Sequence, residues 1–118
     1  MHAARETSQG PLKIKVSQFG STQTLELAGE LDLATVPVLQ ENLEGAQKDG
    51  AEVVVVDMSG LEFIDSTGIA LLVESDRRFS EDGGRFLLIR SEAPAVARVL
   101  ALTELDRRLH FVDRPPAG

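Results

Sequence analysis

The chain reads as an α/β domain with elements in the order ββαβαβαβ. Three observations lead there: two adjacent segments of period two near the start, short aliphatic runs of uniform apolarity further on, and helical stripes between and after them. An opening β-hairpin followed by alternating helix and strand implies a mixed sheet, its later strands parallel through right-handed crossovers. At 118 residues and 42% hydrophobic content, one domain with one core is expected.

Residues 1–10 are mostly polar and lead into Gly10-Pro11, so a disordered tail is expected ahead of a domain over residues 11–113. Leu12, Ile14 and Val16 alternate with Lys13, Lys15 and Ser17, the period of a half-buried strand. Phe19-Gly20-Ser21 is a short turn, after which Thr24 and Glu26 alternate with Leu25 and Leu27 to complete a hairpin. Gly29-Glu30-Leu31-Asp32 interrupts the alternation. Val36, Leu39, Leu43 and Ala46 then form one helical stripe, capped by Thr35 or Asp32, with Pro37 in its first turn and Asp49-Gly50 at its end. Val53-Val54-Val55-Val56 has no polar alternation, so both faces of that strand should be covered, as in a central parallel strand.

A loop over 58–64 leads to a second helix that begins at Ser66 and carries Ile69, Leu72, Val73, Asp76 and Phe79. Asp82-Gly83-Gly84 is a turn, and Phe86-Leu87-Leu88-Ile89 another buried strand. A third helix over 93–101 presents Val96, Val99 and Leu100, with Leu102 and Leu105 extending the apolar set. Leu109-His110-Phe111-Val112 is expected as a closing strand and 114–118 as a frayed end.

Composition removes several classes of function. Without cysteine there are no disulfides, thiolate zinc sites or Cys nucleophiles. A formal net charge of −7 with no Trp or Tyr argues against nucleic acid, which needs cationic and stacking surfaces. The same charge argues against anionic membranes. No apolar run approaches a membrane span of roughly 20 residues, and no signal-peptide core is present, so the cytoplasm is the expected location. His2 and His110 have no neighbours at metal-ligand or triad spacing, and no phosphate-binding glycine loop occurs. Asp65-Ser66-Thr67-Gly68 is similar to the Asp-Ser/Thr-Gly of aspartic proteases but carries one extra residue and has no second copy. Neither an enzyme nor a metal or cofactor of its own is expected.

Two candidate phosphate acceptors remain. Asp57, expected at the C-terminal end of a central strand, sits as a receiver-domain aspartate would. The acidic pair and late lysine that such chemistry requires are missing, and the plain alternative is a carboxylate that caps the following turn. The second is Ser66, with Thr67 beside it. Ser66 is the expected helix N-cap and Asp65 a competing one. Capping and phosphorylation are compatible, because a helix start offers free N–H groups and a favourable dipole to a phosphate. The added charge beside Asp65, Asp32 and Asp57 would change what the surface binds.

The run from Val53 to Gly68, with Asp57-Met58-Ser59-Gly60-Leu61 and Asp65-Ser66-Thr67-Gly68, resembles the STAS domain of bacterial anti-sigma factor antagonists. Gly29-Glu30-Leu31-Asp32 resembles that family's Gly-Glu-Leu/Ile-Asp, and the similarity spans roughly residues 12–112. The resemblance implies a mixed sheet with helices on one side and a partner-switching cycle. An unmodified antagonist binds an anti-sigma factor, often a serine kinase, and frees a sigma factor. Phosphorylation of Ser66 dissociates the pair and a phosphatase reverses it, with Thr67 as a minor alternative acceptor. Asp32, Asp65, Ser66, Thr67 and Gly68 belong to the implied interface, and ATP is bound by the kinase. Glu104-Leu105 departs from the Gly-Leu of many members, which puts that corner in question. The other function the resemblance allows is a scaffold subunit of a stressosome or a lipid or anion transport assembly without a phospho-switch. Monomer and weak dimer both remain open.

Overall fold

Polar residues can join a sheet through their backbone alone, and the start of the chain does so. In the computed structural model, which describes residues 2–9 and 11–116, strand β1 (His2–Gln9) pairs antiparallel with β2 (Leu12–Phe19). An edge strand thus replaces the tail expected there, with Met1 and Gly10 outside the described residues. Composition does not signal it, because β2 offers its open edge to any backbone. The hairpin is as predicted: β2 pairs with β3 (Thr22–Leu31) across Gly20 and Ser21, and Gly20 has the positive φ, 61°, of a tight hairpin turn.

From β3 onward the chain alternates through α1 (Val36–Lys48), β4 (Val53–Ile64), α2 (Ser66–Glu81), β5 (Arg85–Ile89), α3 (Pro94–Leu102) and α4 (Leu105–Arg108). The strands lie in the order β1-β2-β3-β4-β5, with β3, β4 and β5 mutually parallel. Each crossover steps to the next strand in the same direction, so right-handed connections place the helices on one face. Leu39, Leu43, Leu72, Phe79, Val96 and Leu100 accordingly share one core with Ile14, Leu25, Val54, Val56 and Leu88. Lys13, Lys15 and Glu26 point the other way and are exposed.

The valine run is buried on both faces, but by different means. Val54 and Val56 pack under the helices. Val55, fully buried yet outside that core, lies on the opposite face between its cross-strand neighbours Thr24 and Leu87. The residues expected as a loop over 58–64 instead continue β4, with two register shifts against β3. Those shifts explain the irregular period that concealed the strand. Gly60 sits at the first of them, where a Cβ would stand 2.9 Å from the Leu27 carbonyl oxygen. Gly29 is more constrained still: at φ 110° a Cβ would lie 1.7 Å from the Pro11 oxygen.

The C-terminal region also departs from expectation. The third helix ends at Leu102, which is exposed, and Glu104 takes the left-handed conformation at φ 60°. The Glu104-Leu105 corner, expected to differ, is built on a left-handed residue that is not glycine. A short α4 follows, and the expected strand reduces to one parallel bridge between Phe111 and Leu88. Of the end predicted to fray, residues 117–118 lie outside the described residues.

Candidate functional site

Two loops meet at the C-terminal ends of β3 and β4, where ligands of open α/β sheets gather. The first joins β3 to α1. In it Asp32 Oδ1 accepts from the N–H groups of Ala34 (3.0 Å) and Thr35 (3.1 Å). Thr35 Oγ1 in turn accepts from the Asp32 N–H and donates to the Glu30 oxygen, both at 2.9 Å. The two candidate caps therefore work together. Thr35 occupies the N-cap position while its hydroxyl bonds back into the loop.

The second loop is the start of α2, and it corrects the expected cap. Asp65, not Ser66, is the N-cap: its Oδ1 accepts from the N–H groups of Thr67 (2.9 Å) and Gly68 (3.1 Å). An extended residue with a carboxylate here satisfies two donors at once. Asp65 Oδ1 also takes the Thr67 hydroxyl at 2.5 Å, and its Oδ2 accepts from the Leu33 N–H at 3.1 Å. One side chain thus ties the two loops together, with a backbone bond from the Asp65 N–H to the Leu31 oxygen beside it (3.1 Å). Partial desolvation works to raise the Asp65 pKa. The bonds from the Thr67 hydroxyl and from the N–H groups of Gly68, Leu33 and Thr67 outweigh it and hold the carboxyl below its ordinary value.

Ser66 becomes the first helical residue. It is exposed, and its hydroxyl makes no hydrogen bond among the described residues, whereas the Thr67 hydroxyl is committed to Asp65. The geometry separates two neighbours that the sequence could not. It also narrows what a phosphate would find, because Asp65 already occupies the Thr67 and Gly68 donors. A phosphoryl group on Ser66 would have the helix dipole and its own N–H, and would project into solvent. Gly68 is buried against the sheet: a Cβ there would stand 2.8 Å from Ile64 Cγ1 and 3.0 Å from Leu31 Cγ. The glycine of the motif lets the helix start sit close on β3 and β4.

Asp32, Asp65, Ser66, Thr67 and Gly68 are thus brought to one corner, and Asp57 is not. It lies in mid-strand because β4 runs on to Ile64, and its Oδ1 accepts from the Ser59 N–H at 2.9 Å. The bond lies within the strand, so no turn follows for Asp57 to cap, and the residue is well short of the strand end a receiver acceptor needs. His110 is exposed beside β5.

Near this corner and along α2, three large apolar residues that the sequence did not single out as functional are exposed, among them Val73 of the expected α2 stripe. Leu33 is 73% exposed, Phe63 43% and Val73 41%. Leu33 donates its N–H to the Asp65 carboxylate, and Phe63 is the penultimate residue of β4. Val73 shares a face of α2 with Ser66 and Ala70, at helical spacing i, i+4, i+7. Exposed large apolar side chains on the elements around a helix start are candidates for a contact surface. A usable signal was present in Leu33, an apolar residue in a loop outside every stripe.

A mixed sheet with one helical layer, and an exposed serine at the first position of the helix after β4, fits a STAS-type domain. The chain belongs to that family: the family model described as "Mlab, STAS domain" matches residues 14–113. Among curated proteins it is 27% identical over 99 residues to an anti-sigma-B factor antagonist of Staphylococcus aureus (strain NCTC 8325 / PS 47), covering 84% of this chain and 91% of that one. Among solved structures, an anti-sigma factor antagonist from Mycobacterium paratuberculosis aligns with a TM-score of 0.77 at 23% identity, over 92% of this chain and 91% of the other. The Bacillus cell fate determinant SpoIIAA in its phosphorylated form aligns at 0.65 and 23% identity, over 84% and 90%. No helix among the described residues is long and apolar enough to cross a membrane.

Proposed function

We propose that this chain is an anti-sigma factor antagonist whose binding is switched off by phosphorylation of Ser66. The observation that carries the reading is the exposed, uncommitted Ser66 hydroxyl at the start of α2, beside an Asp65 that engages the Thr67 hydroxyl instead. The names of its relatives supply the partner class, an anti-sigma factor. In the proposed cycle that factor is a serine kinase, which holds the ATP and transfers its γ-phosphoryl group to Ser66 Oγ. The transfer releases ADP and the hydroxyl proton, and a phosphatase returns the serine by hydrolysis.

Leu33, Phe63 and Val73 form the apolar part of the contact, with Asp32 and Asp65 at its acidic margin. A partner with an apolar centre and basic surroundings fits such a surface. Phosphate adds about −1.5 to −2 charges at the middle of that surface. It opposes binding by the cost of desolvating a phosphate against the partner's apolar centre rather than by unfolding α2. Such a cycle places the protein in the cytoplasm.

The test is to incubate the protein with the anti-sigma kinase of its own organism and ATP, and to follow intact mass. One added phosphate is expected, absent in Ser66→Ala and retained in Thr67→Ala. A phosphate that persists in Ser66→Ala overturns the assignment. Recovery from native cells of a transport ATPase with no sigma-pathway kinase would favour the scaffold role instead.

A further inference from the structure

At the far edge of the sheet lies a half-open cavity of about 520 Å³. Its lining includes Ser80, Arg85, Phe86, Leu87, Leu109 and His110. The cavity arises from how β5 is paired. The Arg85 N–H bonds inward, to the Glu52 oxygen at 2.9 Å, so alternate residues of β5 turn their main-chain groups outward. Leu88 does this with satisfied partners: its N–H donates to the His110 oxygen (2.9 Å) and its oxygen accepts from the Val112 N–H (2.8 Å). Two residues earlier Phe86 turns the same two groups to the same edge, and neither has a protein partner among the described residues. The chain runs through α4 before Leu109 and so joins the edge too late to cover Phe86. An edge strand that presents such groups is a ready template for pairing with another chain.

Charge distinguishes this edge from the rest of an acidic molecule. The cavity lining holds Arg85 and His110 and no Asp or Glu. Among the described residues every ion pair lies within α2, on Arg77 or Arg78. Arg85 and His110, both exposed on the cavity wall, and Arg107 and Arg108, just ahead of Leu109, therefore carry positive or protonatable groups outside any ion pair.

We propose that the β5 edge at Arg85–Leu87 docks an extended acidic segment of a partner protein, which adds as a strand beside Phe86 with its carboxylates toward Arg85 and His110. A strand supplies both an acceptor for the Phe86 N–H and a donor for its carbonyl. A small anion supplies acceptors alone and would leave the carbonyl unpaired. A second copy meeting edge to edge would bring the Arg85 side chains of both copies into one small interface whose lining offers no carboxylate.

The test uses the full chain and a short labelled peptide of alternating valine and glutamate, followed by fluorescence anisotropy and by amide shifts in NMR. Saturable binding is expected, with shifts at Phe86, Leu88 and His110. Affinity should fall about tenfold or more in Arg85→Glu and on raising salt. Arg85→Gln should show a smaller loss, and circular dichroism of both variants should match the parent because Arg85 is exposed. A peptide N-methylated on its bonding edge should not bind. The proposal is overturned by no saturable binding, or by binding indifferent to both Arg85→Glu and N-methylation. It is equally overturned if inorganic phosphate alone reproduces the shifts, or if sedimentation shows the chain self-associating through this edge.

Discussion

Removing the Asp65 carboxylate should weaken the fold and loosen the loop that carries Leu33, and two substitutions separate those effects. Asp65→Ala deletes the cap that accepts from the Thr67 and Gly68 N–H groups. Loss of an N-cap costs about 1 kcal/mol. The same change deletes the bond from the Leu33 N–H, which contributes roughly 0.5–1 kcal/mol at so exposed a site. A total near 2 kcal/mol is expected. Asp65→Asn keeps the cap, since Asn serves there as well as Asp. It places an NH2 group where Oδ2 accepted from Leu33, so only the smaller loss of about 0.5–1 kcal/mol should appear. The chain has neither Trp nor Tyr, so urea unfolding is best followed by far-ultraviolet circular dichroism. With a slope of about 1–3 kcal/mol per molar urea, Asp65→Ala should lower the midpoint by roughly 1 M. The pH dependence has a fixed sign. The folded carboxyl titrates below its ordinary value of 3.8, so its stabilisation is complete above that value. It is lost as the pH falls through the folded pKa. The gap between parent and Asp65→Asn should therefore be full at neutral pH and close only in acid. Equal stabilities for parent and Asp65→Ala at neutral pH, or equal losses in the two variants, would refute the cap-and-tether account.

Other substitutions probe the remaining observations. Glu104 holds φ 60° with a side chain that makes no hydrogen bond or ion pair among the described residues. Glu104→Gly should relieve about 1–2 kcal/mol of left-handed strain at a smaller entropic cost, raising the melting temperature by roughly 3 °C while Glu104→Ala does not. Gly68→Ala should destabilise by about 1–3 kcal/mol in the same urea assay, because its Cβ would press on Ile64 and Leu31. Leu33→Ser and Val73→Ser should leave the melting temperature nearly unchanged, since both side chains are exposed. Each should weaken anti-sigma factor binding about tenfold in calorimetry if the apolar corner is the contact.

How much was legible in the sequence depended on how local the responsible physics is. The β2–β3 hairpin, the stripes of α1 and α2 and the aliphatic runs of β4 and β5 follow from period and turn chemistry, which neighbouring residues settle among themselves. The motif residues also pointed to the candidate site, because helix starts and strand ends are written in short patterns. The strand nature of 58–64 was hidden because its register shifts against β3 break the alternation. β1 was hidden because pairing at an open edge uses backbone groups common to all residues. The last bridge at Phe111 depends on where α4 releases the chain.

At the candidate site the same boundary divides two hydroxyls only one residue apart. The sequence alone determined that a serine and a threonine stand beside a carboxylate at a helix start, and the family it resembles. It favoured Ser66 as the cap, wrongly, because Asp and Ser are nearly equal there. Tertiary structure decided it: the Leu33 N–H, 32 positions away from Asp65 along the chain, reaches its Oδ2 while Oδ1 takes the first turn of α2. With Asp65 as the cap, Thr67 is held and Ser66 is left free, and that contact exists only because β3 and β4 end side by side.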